Sequence, residues 1–480
     1  GDFRIGGLVV RGGFQAQDAG PATLRTGFVY NAGEFFVGSE TRSHTNKFVL
    51  QLDGPTEVQA KNALTSSGTA NGAYSRTTEV VNEGAPGGFP DGAFKLALHC
   101  NCNSNEAPAL VTIVRPLPRL TEPNGSKWRP RGLISHGGHT VLRGSTCNEH
   151  GWLHVASDVS DVDLARQSVR SLDLAIAPRG WGSGRLEMVV NSAKEPLHTN
   201  SPKRAIHPDA GLQTVRGRVA GDRVDLDEAL RHAQISMAQV EDNMDAHPVP
   251  STVALLTRNV VVRGPAGCWK DKLCAEGEGR CNCGHTTFHH TKTGLYCGVE
   301  LTELGESGFA GHYPVHFHQT GVACNLRVAY NALHRLANRG IVVHNSHNTE
   351  TSHNVIYRVI GNGIMTEDGT EEGNRINFNW VFNMGGFAPP QFSNQDEANF
   401  FFRETSFNGK LRSNYDDGTG DGTWATAIWP TNQNNQMHGN FVGRTTQGMV
   451  TQLRIKHDPH PVTEASMCVE CGGTWQGNNC

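Results

Sequence analysis

Apolar and polar residues alternate over short stretches of this chain instead of recurring at the spacing of a helix. In the stretch 311–321 (GHYPVHFHQTG), apolar Val315 and Phe317 alternate with His316 and His318. Because successive side chains of a strand point to opposite faces, the two apolar residues face one side and the two histidines face the other. The pattern predicts a strand with an apolar face toward the core and two neighbouring imidazoles on its outer face.

Short strands of this kind, separated by glycine, asparagine and serine turns, are predicted along most of the chain. Residues 1–130 are predicted to be an N-terminal β-rich region, and 131–265 a glycine-marked, strand-rich domain that leads into a β-helix. The β-helix itself is assigned to 266–465, and 466–480 to the start of a truncated cysteine-rich module. One helix is predicted over Asp225–Asn243, where apolar residues recur at helical spacing.

An internal repeat determines the predicted fold class. At a shift of 23 residues, from 338 to 361, the stretch 338–345 (NRGIVVHN) falls on 361–368 (GNGIMTED). At this shift Asn331 meets Asn354, and Asn354 meets Asn377. A short strand followed by asparagine and glycine turns, at a period of about 20–25 residues, is typical of a stacked solenoid. The sequence therefore predicts an all-β protein built as a right-handed parallel β-helix.

The stacking register predicts a column of polar side chains on the outer face. Successive coils place equivalent residues about 4.8 Å apart. His318 is then expected beside His344, and His344 beside Glu367, with His316 and Asp368 in flanking columns. Two inward pairs accompany this column, Val315 with Ile341 and Phe317 with Val343. A slip of one residue would turn the column into the core, because the side chains of a strand alternate.

The charge and composition of the chain limit the kinds of partner that are expected. The chain has 480 residues, 56 of them glycine, with 18% charged residues and a formal net charge of −4. Since there is no basic block, nucleic acid is not an expected partner. No stretch of about 18 apolar residues occurs, so membrane insertion of this segment is not expected.

The 12 cysteines predict disulfides and an oxidising, extracellular or cell-surface compartment. The group Cys268, Cys274, Cys281 and Cys283 leaves a zinc site as an alternative. A glycosylation sequon at Asn124 (Asn-Gly-Ser) accords with a secreted glycoprotein.

Several stretches resemble a known family. The stretches YPVHFH (313–318), VALLTRNVVVRG (253–264) and GNGIMTEDGTEEGN (361–374) resemble the β-helix of cell-migration-inducing hyaluronidase and its relative transmembrane protein 2. Fibrocystin-type cell-surface proteins share this architecture. The resemblance extends to WPTNQNNQMHGNFVGRTTQG (429–448) and RGLISHGGHTVLRG (131–144).

This resemblance implies an extracellular, disulfide-bridged β-helix that binds or acts on long glycans such as hyaluronan, with dependence on calcium. On the matching positions, it assigns the site to His316, His318, Glu367 and Asp368.

Three chemical interpretations of the histidines remain open. A divalent metal is predicted to bind either His316, His318 and His344 or the set His318, His344 and Glu367. The metal is calcium by the resemblance, or zinc by the preference of imidazole and carboxylate. Alternatively His318, Glu367 and Asp368 act as acid, base or nucleophile on a glycosidic bond without a metal. The third interpretation is a structural polar ladder.

Two tryptophans are candidates for sugar binding. Trp424 and Trp429 bracket a short predicted strand, and rigid aromatic faces pack well on sugar rings. Packing in the core is the alternative for both, since tryptophan is highly buried on average.

Two hypotheses of function follow. In the first, the chain is an extracellular β-helix that binds, and in its enzymatic form cleaves, a long acidic polysaccharide such as hyaluronan, as a hyaluronidase-like depolymerase. In the second, it is a non-catalytic structural module of a cell-surface or matrix fibre glycoprotein, with further copies or modules of that fibre as partners.

Overall fold

The computed structural model describes most of the chain in segments. These are residues 1–4, 7–53, 93–97, 110–114, 131–191, 212–231, 234, 237–238, 248–268, 283–306, 311–359, 361–367, 369–384, 426–432, 434–445, 447–449 and 471. The candidate residues Asn124, Asp368 and Trp424 lie outside these segments, as do the cysteines 100, 102, 274, 281, 468 and 480.

The chain winds through three long sheets, and each strand hydrogen-bonds to the strands one coil before and after it. Sheet I contains nine parallel strands, Asp2–Arg4, Ala22–Thr26, Phe48–Leu52, Val260–Arg263, Val299–Thr302, Ala332–Leu336, Val355–Val359, Trp380–Met384 and Phe441–Thr445. Sheet III contains eight, Gly13–Ala16, Glu34–Val37, His139–Arg143, Thr293–Cys297, Asn325–Ala329, Glu350–Ser352, Arg375–Asn377 and Gln436–His438.

Sheet II carries the histidines discussed below. Its parallel strands are Leu8–Val10, Phe28–Asn31, Gly132–His136, His285–His289, Val315–Val322, Ile341–His347, Ile364–Thr366, Thr426–Trp429 and Gln447–Met449. An antiparallel pair, Leu110–Val114 and Ala93–Ala97, extends the sheet at its N-terminal end. Each full coil runs from sheet II to sheet III to sheet I, so the predicted parallel β-helix is confirmed.

The core lies between the three sheets and consists of stacked apolar columns. On sheet II, Val315 pairs with Ile341, Ile341 with Ile364, and Ile364 with Ile428, and all four side chains are buried in one cluster. A parallel column contains Phe288, Phe317 and Val343. Burial of each such side chain contributes roughly 1.5–3 kcal/mol. The predicted inward pairs are therefore confirmed.

Buried asparagines form a ladder at one turn of the coil. Asn331 Nδ2 donates to Asn354 Oδ1, Asn354 Nδ2 to Asn379 Oδ1, and Asn379 Nδ2 to Asn440 Oδ1, each at 3.0 Å. The repeat correctly pairs Asn331 with Asn354. It is wrong in the next coil, where Asn354 meets Asn379 and not Asn377, because that coil is two residues longer.

The corners of the coils use the left-handed backbone conformation. On sheet II these residues are His290, which follows a strand, and Gln319 and Asn345, which lie within strands; after sheet III strands they are Tyr330, His353 and Phe378. Bulky side chains are uncommon in this conformation. At the sheet III corner they stack, with ring centroids 4.5 Å apart for Tyr330 and His353 and 4.9 Å apart for His353 and Phe378.

A separate antiparallel sheet, sheet IV, is formed by residues that lie in the sequence between two strands of the β-helix. Its strands, in spatial order, are Trp152–His154, Thr252–Leu255, Leu186–Asn191, Leu212–Ala220, Arg223–Leu226 and Ser171–Asp173. It packs on sheet I, where Trp380 Nε1 donates to Thr252 Oγ1 at 3.0 Å and the Trp152 ring stacks on Phe441. Met237–Ala238 and Pro248–Val249 form a short additional pair.

The prediction of a helix over Asp225–Asn243 is wrong for the residues described there. Arg223–Leu226 pairs antiparallel with Leu212–Ala220 across a tight turn at Gly221, and its side chains alternate between exposed and buried. The alternation of exposed and buried side chains is that of a strand, and it prevails here over the helical spacing of the apolar residues. The helix of the described chain is Asp161–Arg166 instead, capped by Ser160, whose hydroxyl accepts from Asp163 N.

The β-helix also begins earlier than predicted. Strands from Asp2 to Leu52 belong to sheets I, II and III, as do Gly132–His136, His139–Arg143 and Val260–Arg263. The segment 131–265 is thus divided between coils of the β-helix and sheet IV. Long insertions between coils hide the repeat from a search at constant spacing.

Three disulfides pair all six cysteines of the described segments, Cys147–Cys297, Cys268–Cys283 and Cys324–Cys471. The predicted disulfides are confirmed for these residues. Cys268 and Cys283 bond to each other, so the zinc alternative for their group is wrong for these two. In the described part of the chain, no helix has the length and apolar character to cross a membrane.

Candidate functional site

A ladder of four histidines runs along the outer face of sheet II. Its members, here called the histidine ladder, are His136, His289, His318 and His344, and each pairs in register with the next. The ring centroids of His289 and His318 lie 4.7 Å apart, and those of His318 and His344 lie 5.0 Å apart. The predicted pairing of His318 with His344 is therefore confirmed, and the column extends two coils further than predicted.

Each ladder histidine is followed at once by a left-handed corner residue. These residues are Gly137 (φ 66°), His290 (φ 49°), Gln319 (φ 51°) and Asn345 (φ 45°). The chain turns sharply there, so every ladder histidine lies at the same edge of sheet II. The local sequence favours the turn, because glycine and asparagine adopt this conformation most readily.

Three imidazoles converge at the C-terminal end of the ladder, near His318 and His344. His316, His318 and His344 each offer one ring nitrogen, and these nitrogens lie within 4.8 Å of one another. His316 is 3% exposed, whereas the side chain of His344 is 23% exposed. With Glu367, these residues are called the histidine site below.

His316 presents its Nε2 atom to the histidine site. Its Nδ1 lies 2.9 Å from the carbonyl oxygen of Gly311, which can only accept, so Nδ1 carries the proton. Nε2 then has a lone pair, and this buried atom has no hydrogen-bond partner. A histidine that donates from one nitrogen to a carbonyl and offers the other is the usual arrangement of a metal ligand.

Glu367 brings a carboxylate beside two of the imidazoles. Its Oε2 atom lies 3.9 Å from His316 Nε2 and 3.7 Å from His344 Nδ1. The backbone N–H of Glu367 donates to Val343 O, which places Glu367 next to His344 as the register predicts. The predicted neighbourhood of His344 and Glu367 is confirmed.

The other carboxylate oxygen is bound by two buried side chains. Tyr313 donates its hydroxyl to Glu367 Oε1 at 3.0 Å, and Arg339 Nη1 lies 3.4 Å from the same oxygen. Arg339 Nη1 also donates to the Tyr313 hydroxyl at 3.0 Å. Glu367, Tyr313 and Arg339 are all buried. The carboxylate is thereby oriented within the site.

His316 and His318 are neutral at neutral pH, because their pKa values are lowered. Burial, followed by the neighbouring His344, His289 and His290, lowers the pKa of His318 to about 3. Burial, followed by His318 and His344, holds the pKa of His316 well below 6.5. Neutral imidazole is the form that binds metals and accepts protons.

The donor set suits a divalent cation of the zinc class. Zinc binds imidazole nitrogen at about 2.0–2.1 Å and carboxylate oxygen at about 2.0–2.2 Å, in sites with three protein ligands and an open position. The three nitrogens, now within 4.8 Å of one another, would have to move closer together around such an ion. Calcium prefers six to eight oxygen ligands, and one carboxylate among imidazoles is a poor match.

Of the two tryptophans predicted to bind sugar, Trp429 lies on this same face. It continues the column that runs from His316 through Val342 and Met365. Three coils separate Trp429 from His316, or about 14 Å at 4.8 Å per coil. Trp429 is half-buried.

Sequence reasoning missed His136, His289, Tyr313 and Arg339 as neighbours of the site. A signal for the first two exists, because each ladder histidine precedes a Gly, His, Gln or Asn in the left-handed conformation, in the strings ISHG, TFHH, HFHQ and VVHN. Tyr313 and Arg339 have no such signal. They meet Glu367 only through the folding of separate coils.

Comparison with known proteins identifies the β-helix. The family model CEMIP beta-helix matches residues 281–469. Fibrocystin-L of Mus musculus is 27% identical over 189 residues, covering 33% of this chain and 4% of that protein. Cell migration-inducing and hyaluronan-binding protein of Mus musculus is 31% identical over 147 residues, covering 28% of this chain and 11% of that protein. Cell surface hyaluronidase CEMIP2 of Homo sapiens is 26% identical over 153 residues, covering 30% of this chain and 11% of that protein.

The chain therefore spans about a tenth or less of the length of these relatives. Among solved structures, the tailspike protein gp49 from Pseudomonas phage LKA1 matches with 12% identity and a TM-score of 0.17, covering 66% of this chain and 40% of that chain. Over residues 281–469 the chain matches the CEMIP beta-helix model, and in sequence it is similar to CEMIP and fibrocystin-type proteins.

Proposed function

We propose that this chain binds a long acidic polysaccharide of the hyaluronan type on the outer face of sheet II and cleaves it at the histidine site. The observation that carries the proposal is the convergence of His316, His318 and His344 beside the carboxylate of Glu367. Two relatives support the class of substrate, since one is named for binding hyaluronan and the other as a hyaluronidase.

On the outer face of sheet II, His318, His344 and Trp429 are partly exposed, whereas Val342 and Met365, in the column that ends at Trp429, are buried. The histidine ladder and the column that ends at Trp429 run side by side along the axis of the β-helix. A polysaccharide along this axis would pass from the partly exposed imidazoles of His318 and His344 to the Trp429 ring. Sugar rings pack on the aromatic face of tryptophan.

His316, His318 and His344 act as ligands of a divalent cation in this proposal. When bound, such a cation polarises an oxygen of the substrate and lowers the pKa of a bound water. Hydrolysis breaks the bond between the anomeric carbon and the glycosidic oxygen. The carbon takes the hydroxyl of water and the leaving oxygen takes a proton. Asp368, which follows Glu367 in the chain, stays the predicted proton donor.

We place the protein outside the cell or at its surface. Cys147–Cys297, Cys268–Cys283 and Cys324–Cys471 are structural disulfides, which persist in oxidising compartments. CEMIP2 is named as a cell surface protein, and long acidic glycans occur in the same compartment.

The experiment is a depolymerisation and binding assay on the full chain. Hyaluronan, chondroitin sulfate and neutral dextran are incubated with the protein, with and without chelator, and their size is followed by chromatography. We expect shortening of an acidic glycan that chelator abolishes and that His318→Ala reduces by at least about 100-fold, since a group needed for catalysis contributes on this order.

His353→Ala is the matched control. His353 is a half-buried histidine on another corner of the same β-helix, between the rings of Tyr330 and Phe378. The His353→Ala variant should cleave the glycan at the same rate as the wild type. Binding without cleavage by all three proteins would remove the enzymatic half of the proposal. Neither binding nor cleavage of any glycan would favour the structural fibre module instead.

A further inference from the structure

We propose that Glu367 is a fourth ligand of the cation in the histidine site, oriented by Tyr313 and Arg339, and that the site selects a transition metal of the zinc class over calcium. The inference rests on the divalent cation that the proposed function places at the histidine site. It selects the role of metal ligand for Glu367 over the alternative role of acid or base. It also departs from the calcium dependence that the resemblance implies.

The two oxygens of Glu367 have different surroundings. Oε1 accepts from Tyr313 at 3.0 Å and lies 3.4 Å from Arg339 Nη1. Oε2 lies 3.9 Å from His316 Nε2 and 3.7 Å from His344 Nδ1. A carboxylate held in this way contributes one oxygen to a cation between the imidazoles, so it binds through a single oxygen.

The separations fit a small cation. Two ligands of a tetrahedral zinc ion lie about 3.3–3.5 Å apart, given bonds of about 2.0–2.2 Å. The distances from Oε2 to the two nitrogens exceed this by a few tenths of an ångström. Binding therefore requires the side chains to move closer together, most of all the three imidazoles, whose nitrogens lie within 4.8 Å of one another.

Burial also argues for the role of ligand. Glu367 is 4% exposed, whereas His318 and His344 are partly exposed. A sugar on the outer face would thus meet the two imidazole rings more readily than the carboxylate. A cation held by the three histidines and Glu367 would take a substrate oxygen as a fifth ligand, since zinc sites can expand to five ligands.

Tyr313 and Arg339 act as positioning residues. Arg339 donates to the Tyr313 hydroxyl at 3.0 Å, and its guanidinium carbon lies 5.5 Å from the centre of the Tyr313 ring. The two side chains thus brace each other and the carboxylate. Residues that orient a metal ligand in this way typically change metal affinity by 10–100-fold when they are mutated.

The test measures metal binding and not activity. Metal-stripped protein is titrated with Zn²⁺, Co²⁺ or Ca²⁺ alone by calorimetry, and the Co²⁺ complex is followed by visible absorption. We expect one Zn²⁺ per chain and an intense Co²⁺ spectrum typical of four ligands. We also expect no displacement of either ion by millimolar Ca²⁺.

Three variants examine the residues behind the site. Tyr313→Phe and Arg339→Lys should lower Zn²⁺ affinity by about 10–100-fold and shift the Co²⁺ spectrum. Glu367→Gln should lower the affinity at least as much.

Tyr330→Phe is the matched control, because Tyr330 stacks on His353 away from the site. It should bind both metals as the wild type does. If Glu367→Gln does not fold, Tyr313→Phe still decides the question, since it removes one oxygen atom only.

The outcomes separate this inference from the proposed function. Wild-type Zn²⁺ affinity in Tyr313→Phe and Glu367→Gln, with loss in His318→Ala, overturns the role of Glu367 and leaves the three-histidine cation site in place. Calcium that displaces Zn²⁺ overturns the selectivity. A wild type that binds no metal overturns the inference entirely, while glycan binding by the same protein would still support the polysaccharide half of the proposed function.

Discussion

His136 Nδ1 and His289 Nδ1 lie 2.8 Å apart, although 153 residues separate them in the sequence. The contact joins two successive coils of sheet II across the insertion that contains sheet IV. It shows that the histidine ladder continues beyond the histidine site. A row of imidazoles at one edge of a β-helix gives the proposed polysaccharide surface a direction along the helix axis.

Acid should destabilise the metal-free protein through these histidines. Burial, with His290 and His136, lowers the pKa of His289 to about 4, and burial with its histidine neighbours lowers that of His318 to about 3. The unfolded chain takes up these protons near pH 6.5 while the folded chain does not. The free energy of unfolding is therefore highest above pH 6.5 and falls as the pH drops toward 4.

Urea unfolding at a series of pH values measures this loss. The midpoint should decrease between pH 7 and pH 4.5, and His289→Gln should flatten the dependence because it removes one proton-binding group. Equal slopes for the variant and the wild type would mean that other groups carry the pH dependence.

The asparagine ladder should contribute strongly to stability. Asn354→Ala removes the donor to Val328 O and Asn379 Oδ1, and it removes the acceptor of Asn331 Nδ2. Each buried polar group left without a partner costs about 1–3 kcal/mol. We expect a loss of at least about 3 kcal/mol in the free energy of unfolding. Asn434→Ala, at an exposed asparagine, should stay within about 0.5 kcal/mol of the wild type. Similar losses in the two variants would contradict a special role of the ladder.

Trp380 should couple sheet IV to the β-helix. It is fully buried between the two and donates to Thr252. Trp380→Ala is expected to cost about 3–5 kcal/mol, as truncation of large buried aromatics does. Limited proteolysis should then cut within 152–255 before it cuts the coils. Phe378→Ala, at a ring that is 40% exposed, is the control and should leave the cleavage pattern unchanged. A Trp380→Ala protein as resistant as the wild type would show that sheet IV is held by other contacts.

The disulfides should differ in their contribution according to loop length. Cys147–Cys297 closes a separation of 150 residues, whereas Cys268–Cys283 closes one of 15. In the chain-entropy model the tenfold longer loop stabilises by about 2 kcal/mol more. The double variant Cys147→Ser/Cys297→Ser should thus lose more stability in denaturant than Cys268→Ser/Cys283→Ser. The reverse order would indicate that strain or residual structure outweighs chain entropy.

Much of the fold could be predicted from the sequence. The alternation of Val315, His316, Phe317 and His318 sets which side chains face the core, because strand periodicity is local. The repeat between 338–345 and 361–368 then aligns neighbouring coils where the loops are short. The register of His318, His344 and Glu367 follows from these two features together.

Other relationships depended on the folded chain. Coils joined through long insertions, such as those of His136 and His289, have no constant spacing, since loop closure tolerates added length at small cost. The change from a shift of 23 to one of 25 residues moved the partner of Asn354 from Asn377 to Asn379. The strand at Arg223–Leu226 forms because Leu212–Ala220 lies beside it, although the local spacing favours a helix. Tyr313, Arg339 and Glu367 meet only when three coils stack, since hydrogen bonds between distant residues leave no local pattern in the sequence.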